Sequence, residues 1–549
     1  MSTSTDSGIS ARTRFIVLTI ASIGFLFDTY ELLMTPLVGV PAIAELLQLP
    51  PNNPIVTDWT GRMLWISALC GGIFGLMGGW LIDQFGRKRI MALSIFLYSF
   101  SPCAAGFSSS LPVFVFFRSL TFVGVCIEFI AAITWLAELF PDRKQREFAL
   151  GFTQAFASLG GILVTAVNGW IVTHANDLPT LPLPDFLNAH ASWRYTLMTG
   201  LLPALPIALL LPLVPESRVW LERRASGSLS RPSLGGLFSP ELRRTTLVTA
   251  ALSACAYGAA FGALQLTPLR VIPGTPELAE QRKDLKPLQD EAKQINVDLL
   301  KLDPSLKAEY AANPALQTLA AKRAKNRIAF RAAMKAGDKA KADAINAEFK
   351  ALGEELEKLT AANPATKTLI ADREKQEPLD KAVKARGNQA QLWQEMGGLA
   401  GRLVLAALVV MAVARRTLLR IFLIPGLLAV PLTYFSLYHT GGAGLDWGIA
   451  ICGLLIVAQF SYFGEFLPKV FPLHLRGTGG SFATNVGGRM IGTSAAFLTT
   501  NVIAPMMPGA STFDKVALAA GVVGTSVFVI GFILSFLLPE PPTEESPSH

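Results

Sequence analysis

The sequence has few of the residues that metal sites and covalent catalysis require. Its 549 residues include five cysteines, and all five lie in apolar stretches without CxxC spacing: Cys70, Cys103, Cys126, Cys255 and Cys452. This pattern indicates neither a disulfide framework nor a zinc site. The sequence also has no GxSxG elbow, no HExxH and no Gly-rich phosphate loop that ends in Gly-Lys-Ser/Thr. We therefore expect no enzyme activity, no cofactor, no metal and no ATP-driven pumping.

Charge is also scarce. Only 16% of the residues are charged, the net charge is +8, and 51% of the residues are hydrophobic. We expect no nucleic-acid partner, because Lys and Arg also collect in the short cytoplasmic loops of membrane proteins. Twelve membrane helices of about 20 residues each would use about 240 residues, which is most of the apolar content. The composition therefore predicts a membrane protein.

Long apolar runs follow one another along the chain in two groups of six. They lie at about 14–40, 60–82, 89–107, 111–140, 148–173 and 193–214, and then at about 244–268, 396–414, 417–438, 446–468, 479–505 and 515–538. Lys and Arg fall in every second connection, beginning with Arg12 and Arg14. This alternation predicts an even number of spans with both termini in the cytoplasm. The first run is too long for a signal-peptide core, so we expect it to be retained as a helix.

The connection at 270–392 is rich in Ala, Lys and Glu and has no spanning run. A helical-hairpin or coiled-coil seam is indicated by apolar residues spaced 4, 3, 4 and 3 apart, namely Ile345, Phe349, Leu352, Leu356 and Leu359. The segment AANPALQTL at 311–319 returns as AANPATKTL at 361–369, where Asn363 can cap a helix that opens with Pro364. We predict an extracytoplasmic insert of helical hairpins. It is either a charged spacer or an element that binds a protein partner or gates the site.

Short motifs flank the spans on the predicted cytoplasmic side. They read GWLIDQFGRKR at 79–89, AELFPDRKQRE at 137–147, PESRVWL at 215–221 and LPE at 538–540. In this combination the sequence resembles the major facilitator superfamily, and in particular its sugar-porter and metabolite–proton-symporter branches. The resemblance implies an all-α membrane protein, a monomer, with twelve transmembrane helices in two pseudo-symmetric six-helix halves. It also implies a cytoplasmic gate that contains Asp83, Gly86, Arg87, Glu138, Arg146, Glu465 and Arg476.

Several positions depart from the motifs of that superfamily. Gln84 replaces an Arg, and MAVARRTLL at 411–419 lacks the expected Asp. Lys469 occupies a Glu position in KVFPLHLRG, although Glu465 lies one helical turn earlier. The seventh span has only Tyr257 and Gln265 where sugar porters carry Gln-Gln and Tyr-Tyr pairs, which weakens the case for a sugar substrate.

Ionisable residues inside the predicted spans indicate where function resides, because charges in hydrocarbon persist when they pair or line a pathway. Asp28 and Glu31 share one face of the first helix, and either carboxyl can bind a proton. The fourth helix adds Arg118 and Glu128. In related proton symporters an acid of the first helix pairs with an Arg of the fourth, so we expect Asp28 to pair with Arg118. A static buried pair is the alternative.

Two arginines lie deep in the second half of the chain, Arg402 and Arg489. Guanidinium groups favour carboxylate or phosphate ligands through forked hydrogen bonds, whereas the alternative pairs them with Glu395, Glu465 or backbone carbonyls. Polar and aromatic residues that complete the predicted substrate cavity are Trp135, Gln154, Tyr257, Gln459, Tyr462 and Asn485.

We divide the chain into an N-terminal six-helix half (1–217), a cytoplasmic linker (218–243), a seventh helix (244–269), the insert (270–392), helices eight to twelve (393–539) and a disordered tail (540–549). The sequence favours a multi-pass transporter of the plasma membrane, the inner membrane of a bacterium. It would take up a small organic anion or similar polar metabolite together with protons, by alternating access. The alternatives are an uncoupled facilitator, a proton-driven exporter, and a non-transporting receptor or anchor that presents the insert.

Overall fold

The computed structural model describes residues 11–47, 54–140, 143–184, 187–202, 204–226, 234–281, 283, 344–345, 347–348, 351, 364–411, 413–472 and 475–539. The chain divides into two compact units. One comprises Met1–Ala175, Ser192–Glu277 and Ala385–His549, and the other comprises Asn176–Ala191 and Leu278–Lys384. Most of the second unit, including the predicted apolar seam beyond Ile345 and the first copy of the repeat, lies outside the described residues.

Within the described residues the regular structure is helical throughout. The helices of the N-terminal half are α1 (Ala11–Leu47), α2 (Pro54–Phe85), α3 (Arg87–Gly106), α4 (Leu111–Leu139), α5 (Arg143–His174), α6 (Ser192–Met198) and α7 (Ala204–Leu210). The linker helix α8 (Arg218–Ala225) follows. The C-terminal half contains α9 (Arg243–Gly262), α10 (Pro364–Val410), α11 (Arg415–Pro431), α12 (Gly442–Val470), α13 (Arg476–Ser481) and α14 (Thr512–Ser535).

Nine helical segments of the described chain are long and apolar enough to cross a membrane. They are Arg12–Leu47, Ile55–Ile82, Arg87–Gly106, Leu111–Leu136, Phe156–Asp177, Arg243–Gly274, Arg415–Thr440, Gly442–Leu467 and Thr512–Ser535. Each overlaps one of the twelve predicted runs. Large apolar side chains such as Leu209, Leu428 and Phe15 are exposed on the surface, as a lipid-facing surface requires. The chain is therefore an all-α, multi-pass membrane protein.

The three remaining predicted runs differ from simple spans. The run at 193–214 consists of α6 and α7, with a 3-10 turn after each. The run at 396–414 is the end of α10, which begins at Pro364 as the repeat predicted and continues without a break to Val410.

The run at 479–505 consists of short pieces, including π-helical turns at Phe482–Gly492 and Leu498–Ile503. Glycine is a poor helix former, and Ser and Thr hydroxyls here donate to carbonyls one turn earlier, as Thr484 does to Gly480. Both effects loosen the regular α-helical ladder.

Each half has its own hydrophobic core. In the N-terminal half buried side chains of α1, α3, α4 and α5 form one cluster, with Trp135 and Tyr98 fully buried in it. In the C-terminal half α9, α11, α12 and α14 form another, which includes Tyr434 and Tyr462. The two clusters meet where Leu64 of α2 packs into the C-terminal one.

Candidate functional site

An ion pair between the two halves lies at the centre of the candidate site. Asp28 of α1 and Arg489 of the π-helical segment Phe482–Gly492 approach to 3.6 Å between Oδ2 and Nη2. Asp28 is 7% and Arg489 3% exposed. Since α1 belongs to the first half of the chain and Arg489 to the second, this buried pair joins the two halves directly.

A second carboxylate lies beside the pair. A Cβ atom at Gly24 would lie 2.6 Å from Oε1 of Glu128, and Gly24 is one helical turn from Asp28 on the same face of α1. Glu128 is fully buried, and neither of its oxygens has a hydrogen-bond partner. Arg402 of α10 also acts electrostatically on Asp28. The centre of the molecule thus brings together two carboxylates and two guanidinium groups.

Several neighbours fix the position of Arg489. Its Nη1 donates to the Val125 carbonyl at 3.2 Å and to Oδ1 of Asn485 at 3.3 Å. Its guanidinium carbon lies 4.9 Å from the ring centroid of Phe129. Tyr257 of α9 interacts with the same guanidinium through its hydroxyl. Nε of Arg489 has no hydrogen-bond partner, so the group retains a free donor for a ligand.

The pairing expected from the sequence, Asp28 with Arg118, is not the one observed. Arg118 lies 4.0 Å from Oε2 of Glu31 and donates to the Glu31 carbonyl at 3.1 Å and to Oγ1 of Thr35 at 2.5 Å. Asp28 and Glu31 are about 60° apart around the helix, and this difference directs Asp28 toward Arg489 of the C-terminal half and Glu31 toward Arg118 of α4. The sequence identified the acids but not which cation each one faces.

Of the other predicted substrate residues, Asn485 and Tyr257 lie at the central site. Nε2 of Gln459 donates to a carbonyl of its own helix, Leu455, at 3.1 Å. Trp135 and Tyr462 are fully buried in the cores of the two separate halves. The side chain of Gln154, like those of Asp83, Arg146 and Arg476, lies outside the described part of the structure.

The motifs of the N-terminal half meet on the predicted cytoplasmic side. Arg87 forms a forked contact with Glu138, with Nε and Nη2 donating at 3.0 and 2.9 Å. Oγ of Ser217 donates to the same carboxylate at 2.5 Å. Glu216 accepts from the backbone N–H groups of Arg87 and Lys88, each at 3.1 Å. We call this group, with Gly86 at φ +98° before Arg87, the cytoplasmic clamp.

The C-terminal half has a simpler counterpart. Arg415 pairs with Glu465 at 2.7 Å, and Lys469 pairs with the same carboxylate. Glu465 therefore contacts the first residue of α11 and the residue one turn later on its own helix, α12.

A polar cluster joins the two chain segments that enter and leave the predicted insert. Arg386 pairs with Glu277 at 2.6 Å and with Asp446 at 2.9 Å, and Glu277 also accepts from the backbone N–H of Gly442. The hydrogen bond from Arg386 lowers the pKa of the Glu277 carboxyl below its ordinary value. We call this cluster the stem clasp.

Some residues of these networks were not singled out as site residues from the sequence. Glu216 and Ser217 belong to the motif PESRVWL at 215–221, so the sequence did mark their positions. Arg270 is buried and donates to Oγ1 of Thr60 on α2 at 2.8 Å, but the sequence placed it at the start of the insert. Arg194, which pairs with Glu45 at 2.9 Å, showed no motif.

Among the described residues, no group of three or more His, Cys, Asp or Glu side chains is placed to hold a metal ion.

Sequence comparisons find similarity to transport proteins. The family model described as Major Facilitator Superfamily matches residues 15–277. The cis,cis-muconate transport protein of Acinetobacter baylyi is 32% identical over 167 residues, 30% of this chain and 36% of the relative. The sialic acid transporter of Escherichia coli is 25% identical over 207 residues, 37% of this chain and 44% of the relative. The matched segments thus span less than half of the length of these relatives.

Solved structures share the fold over nearly the whole chain. A crystal structure of a D-xylose-proton symporter superposes with a TM-score of 0.57 at 16% identity, covering 96% of this chain and 98% of that one.

Proposed function

We propose that this chain is a secondary active transporter of the Major Facilitator Superfamily. The family match over residues 15–277 and a fold like that of a solved proton symporter support this proposal. Its twelve helices form two halves that rock about a midplane site. It sits in the inner membrane of a bacterium with both termini in the cytoplasm, and the 270–392 insert lies outside. The chemistry is binding and movement, with no covalent step.

The observation that carries this proposal is the buried Asp28–Arg489 pair between the halves. A guanidinium in a dry interior needs a counter-charge, and Asp28 supplies it while ionised. When Asp28 takes up a proton, Arg489 loses its partner, and an anionic substrate is the group that best replaces it. Proton binding and anion binding then favour each other, which is the thermodynamic requirement for symport.

The pair also connects binding to movement. Asp28 and Arg489 belong to different halves, so the pair stabilises one relative position of those halves. Replacing the pair with a protonated acid and a bound anion changes the free energy of that position. A ligand can shift the conformational equilibrium only through such a difference.

The substrate class that we propose is a small organic anion. Two guanidinium groups, Arg402 and Arg489, act on the same carboxylate, Asp28. Two relatives transport carboxylates by name, muconate and sialic acid. A relative from Synechocystis is named as a glucose transport protein, so a neutral sugar is the competing candidate.

The first experiment measures uptake into proteoliposomes with and without an inward proton gradient. The probes are labelled cis,cis-muconate, sialic acid and glucose. We expect at least one carboxylate to accumulate only with the gradient. Asp28→Asn should abolish accumulation yet retain counterflow exchange, because the amide imitates the protonated acid. Asp177→Asn, at an exposed position, is the matched control.

Uphill uptake by Asp28→Asn equal to that of the unaltered protein would remove Asp28 from coupling. Gradient-independent equilibration of glucose alone would favour the uncoupled facilitator. Failure of every probe, with a partner found for the insert, would favour the receptor.

A further inference from the structure

A group of buried oxygen atoms on α10 is not used by the proposed proton step. Gln391, Gln394 and Glu395 are spaced i, i+3 and i+4, so they lie on one face of the helix. The two glutamines are 0% exposed and Glu395 is 3% exposed. Both amides donate to the same carboxylate oxygen, Oε1 of Glu395, with Nε2 distances of 2.9 Å from Gln391 and 3.0 Å from Gln394.

The hydrogen bonding of this group is unbalanced. The Oε1 atoms of Gln391 and Gln394 are buried and have no hydrogen-bond partner. Each amide oxygen is about 2.2 Å from its own nitrogen by covalent geometry, so both lie within about 5 Å of the carboxylate. Buried acceptors without donors are costly, and here both amides donate to one carboxylate oxygen while their own oxygens receive no hydrogen bond.

The cluster is shielded from bulk water and lies at the seam between the two halves. Oε2 of Glu395 faces α5, where a Cβ atom at Gly161 would lie 2.1 Å from it. Only glycine fits at that position, so the backbone of α5 approaches the carboxylate closely. One turn before the cluster, Asn388 donates to the Thr165 carbonyl of α5 at 3.0 Å. The cluster is thus enclosed between α5 and α10.

The charge of the cluster indicates which ligand suits this arrangement. One carboxylate and two neutral amides carry a single negative charge, and Arg402 already acts on it from two helical turns away, so a monovalent cation suits the cluster better than a divalent one. Rotating each amide by 180° exchanges its nitrogen and oxygen with little change in shape, and then both oxygens point where the nitrogens now point. We propose that Gln391, Gln394 and Glu395 form a sodium-binding site in the seam between α5 and α10.

Arg402 gives this site a connection to the substrate. It lies two helical turns after Glu395 and acts electrostatically on both Glu395 and Asp28. An anion bound at the centre attracts Arg402 and weakens its electrostatic interaction with Glu395. The Glu395 carboxylate then binds a cation more strongly. Sodium and the anion therefore bind cooperatively. This last step rests on the proposed function, whereas the sodium site itself does not.

The test uses the purified full-length protein in detergent at constant pH and ionic strength. Its thermal unfolding is followed while NaCl replaces choline chloride, and in parallel while KCl replaces it. We expect the unfolding temperature to rise with sodium and to saturate, because a ligand that binds only the folded state stabilises it. Potassium should require at least about tenfold higher concentration for the same shift.

Variants locate the effect. Glu395→Gln removes the charge and should abolish the sodium-dependent shift, and Gln394→Leu should weaken sodium binding at least about tenfold. Glu222→Gln, at an exposed position of α8, should keep the full shift. If Glu395→Gln fails to fold, sodium-dependent fluorescence of the neighbouring Trp393 in the unaltered protein replaces that comparison.

No sodium-specific shift in the folded, unaltered protein would overturn the proposal, as would an equal response to potassium. A shift that persists in Glu395→Gln would place sodium elsewhere. Each of these outcomes leaves the Asp28 experiment unaffected, since that experiment measures proton-driven uptake. Proton-driven uptake that fails while the sodium shift is present would overturn the proposed coupling and leave the sodium site standing.

Discussion

Arg489 and Arg402 both act electrostatically on Asp28, and substitution by lysine can show whether both bind substrate. Lysine keeps the charge but loses the planar fork that matches a carboxylate. We expect Arg489→Lys to weaken the apparent affinity for the anion by about 2 kcal/mol, the size of a charged hydrogen bond. The measurement is concentration-dependent counterflow in proteoliposomes. Arg415→Lys is a comparison outside the central site and should leave the affinity unchanged. Normal affinity in both Arg402→Lys and Arg489→Lys would make these arginines structural.

Substitution of Arg87 tests how much a single residue contributes to the cytoplasmic clamp. Its forked contact with Glu138 is mostly buried, with side-chain exposures of 4% and 16%. Arg87→Lys retains one contact at most, and we expect it to lower the free energy of unfolding by about 2 kcal/mol. Thermal unfolding in detergent measures this loss. Arg89→Lys, an exposed neighbour, should show almost none. Equal stability of the two variants would mean that the fork contributes little.

The sequence revealed the chemical types at the site but not their partners. Asp28, Glu31, Glu128 and Arg489 stood out because charge is rare in apolar runs. Their pairing depends on the rotation of each helix about its axis and on contacts between segments hundreds of residues apart. Neither follows from a hydropathy pattern. Nine of the twelve predicted runs overlap helical segments of the described chain that are long enough to span a membrane. The π-helical pieces between 482 and 503 were missed, because hydropathy does not depend on which hydrogen-bond pattern the helix adopts.

At the scale of elements, the stem clasp should be sensitive to acid. The pKa of Glu277 is lowered in the folded protein, so its stabilisation is present above the pKa of the unfolded chain. The stabilisation disappears as the pH falls through the lower, folded-state pKa. We expect the difference in unfolding temperature between the unaltered protein and Glu277→Gln to be greatest near neutral pH and to vanish in acid. Glu280→Gln serves as the control because its position is exposed and outside the clasp. A difference independent of pH would show that the ionised carboxylate is not the stabilising form.

The whole molecule is joined across the seam between α2 and the chain around residue 500. The amide of Asn501 donates to the Asp58 carboxylate and carbonyl, and the rings of Trp65 and Phe497 stack at 5.4 Å. Our topology places these ends outside the membrane. A thiol cross-linker between Asp58→Cys and Asn501→Cys should therefore hold the outer ends together and stop uptake. Each single variant treated with the same reagent is the control. Continued transport by the cross-linked protein would mean that this seam need not open.

The stem clasp holds together two points of the chain that are far apart in sequence. Glu277 and Arg386 are separated by more than 100 residues of sequence, yet their side chains touch. Closing a loop costs free energy that grows only slowly with its length, so the segment between them is free to lengthen or shorten. The peptide bonds of that segment are then dispensable for assembly. The protein can therefore be expressed as two fragments from separate genes, one ending and the other beginning inside the insert. We expect the fragments to associate in the membrane and to restore uptake.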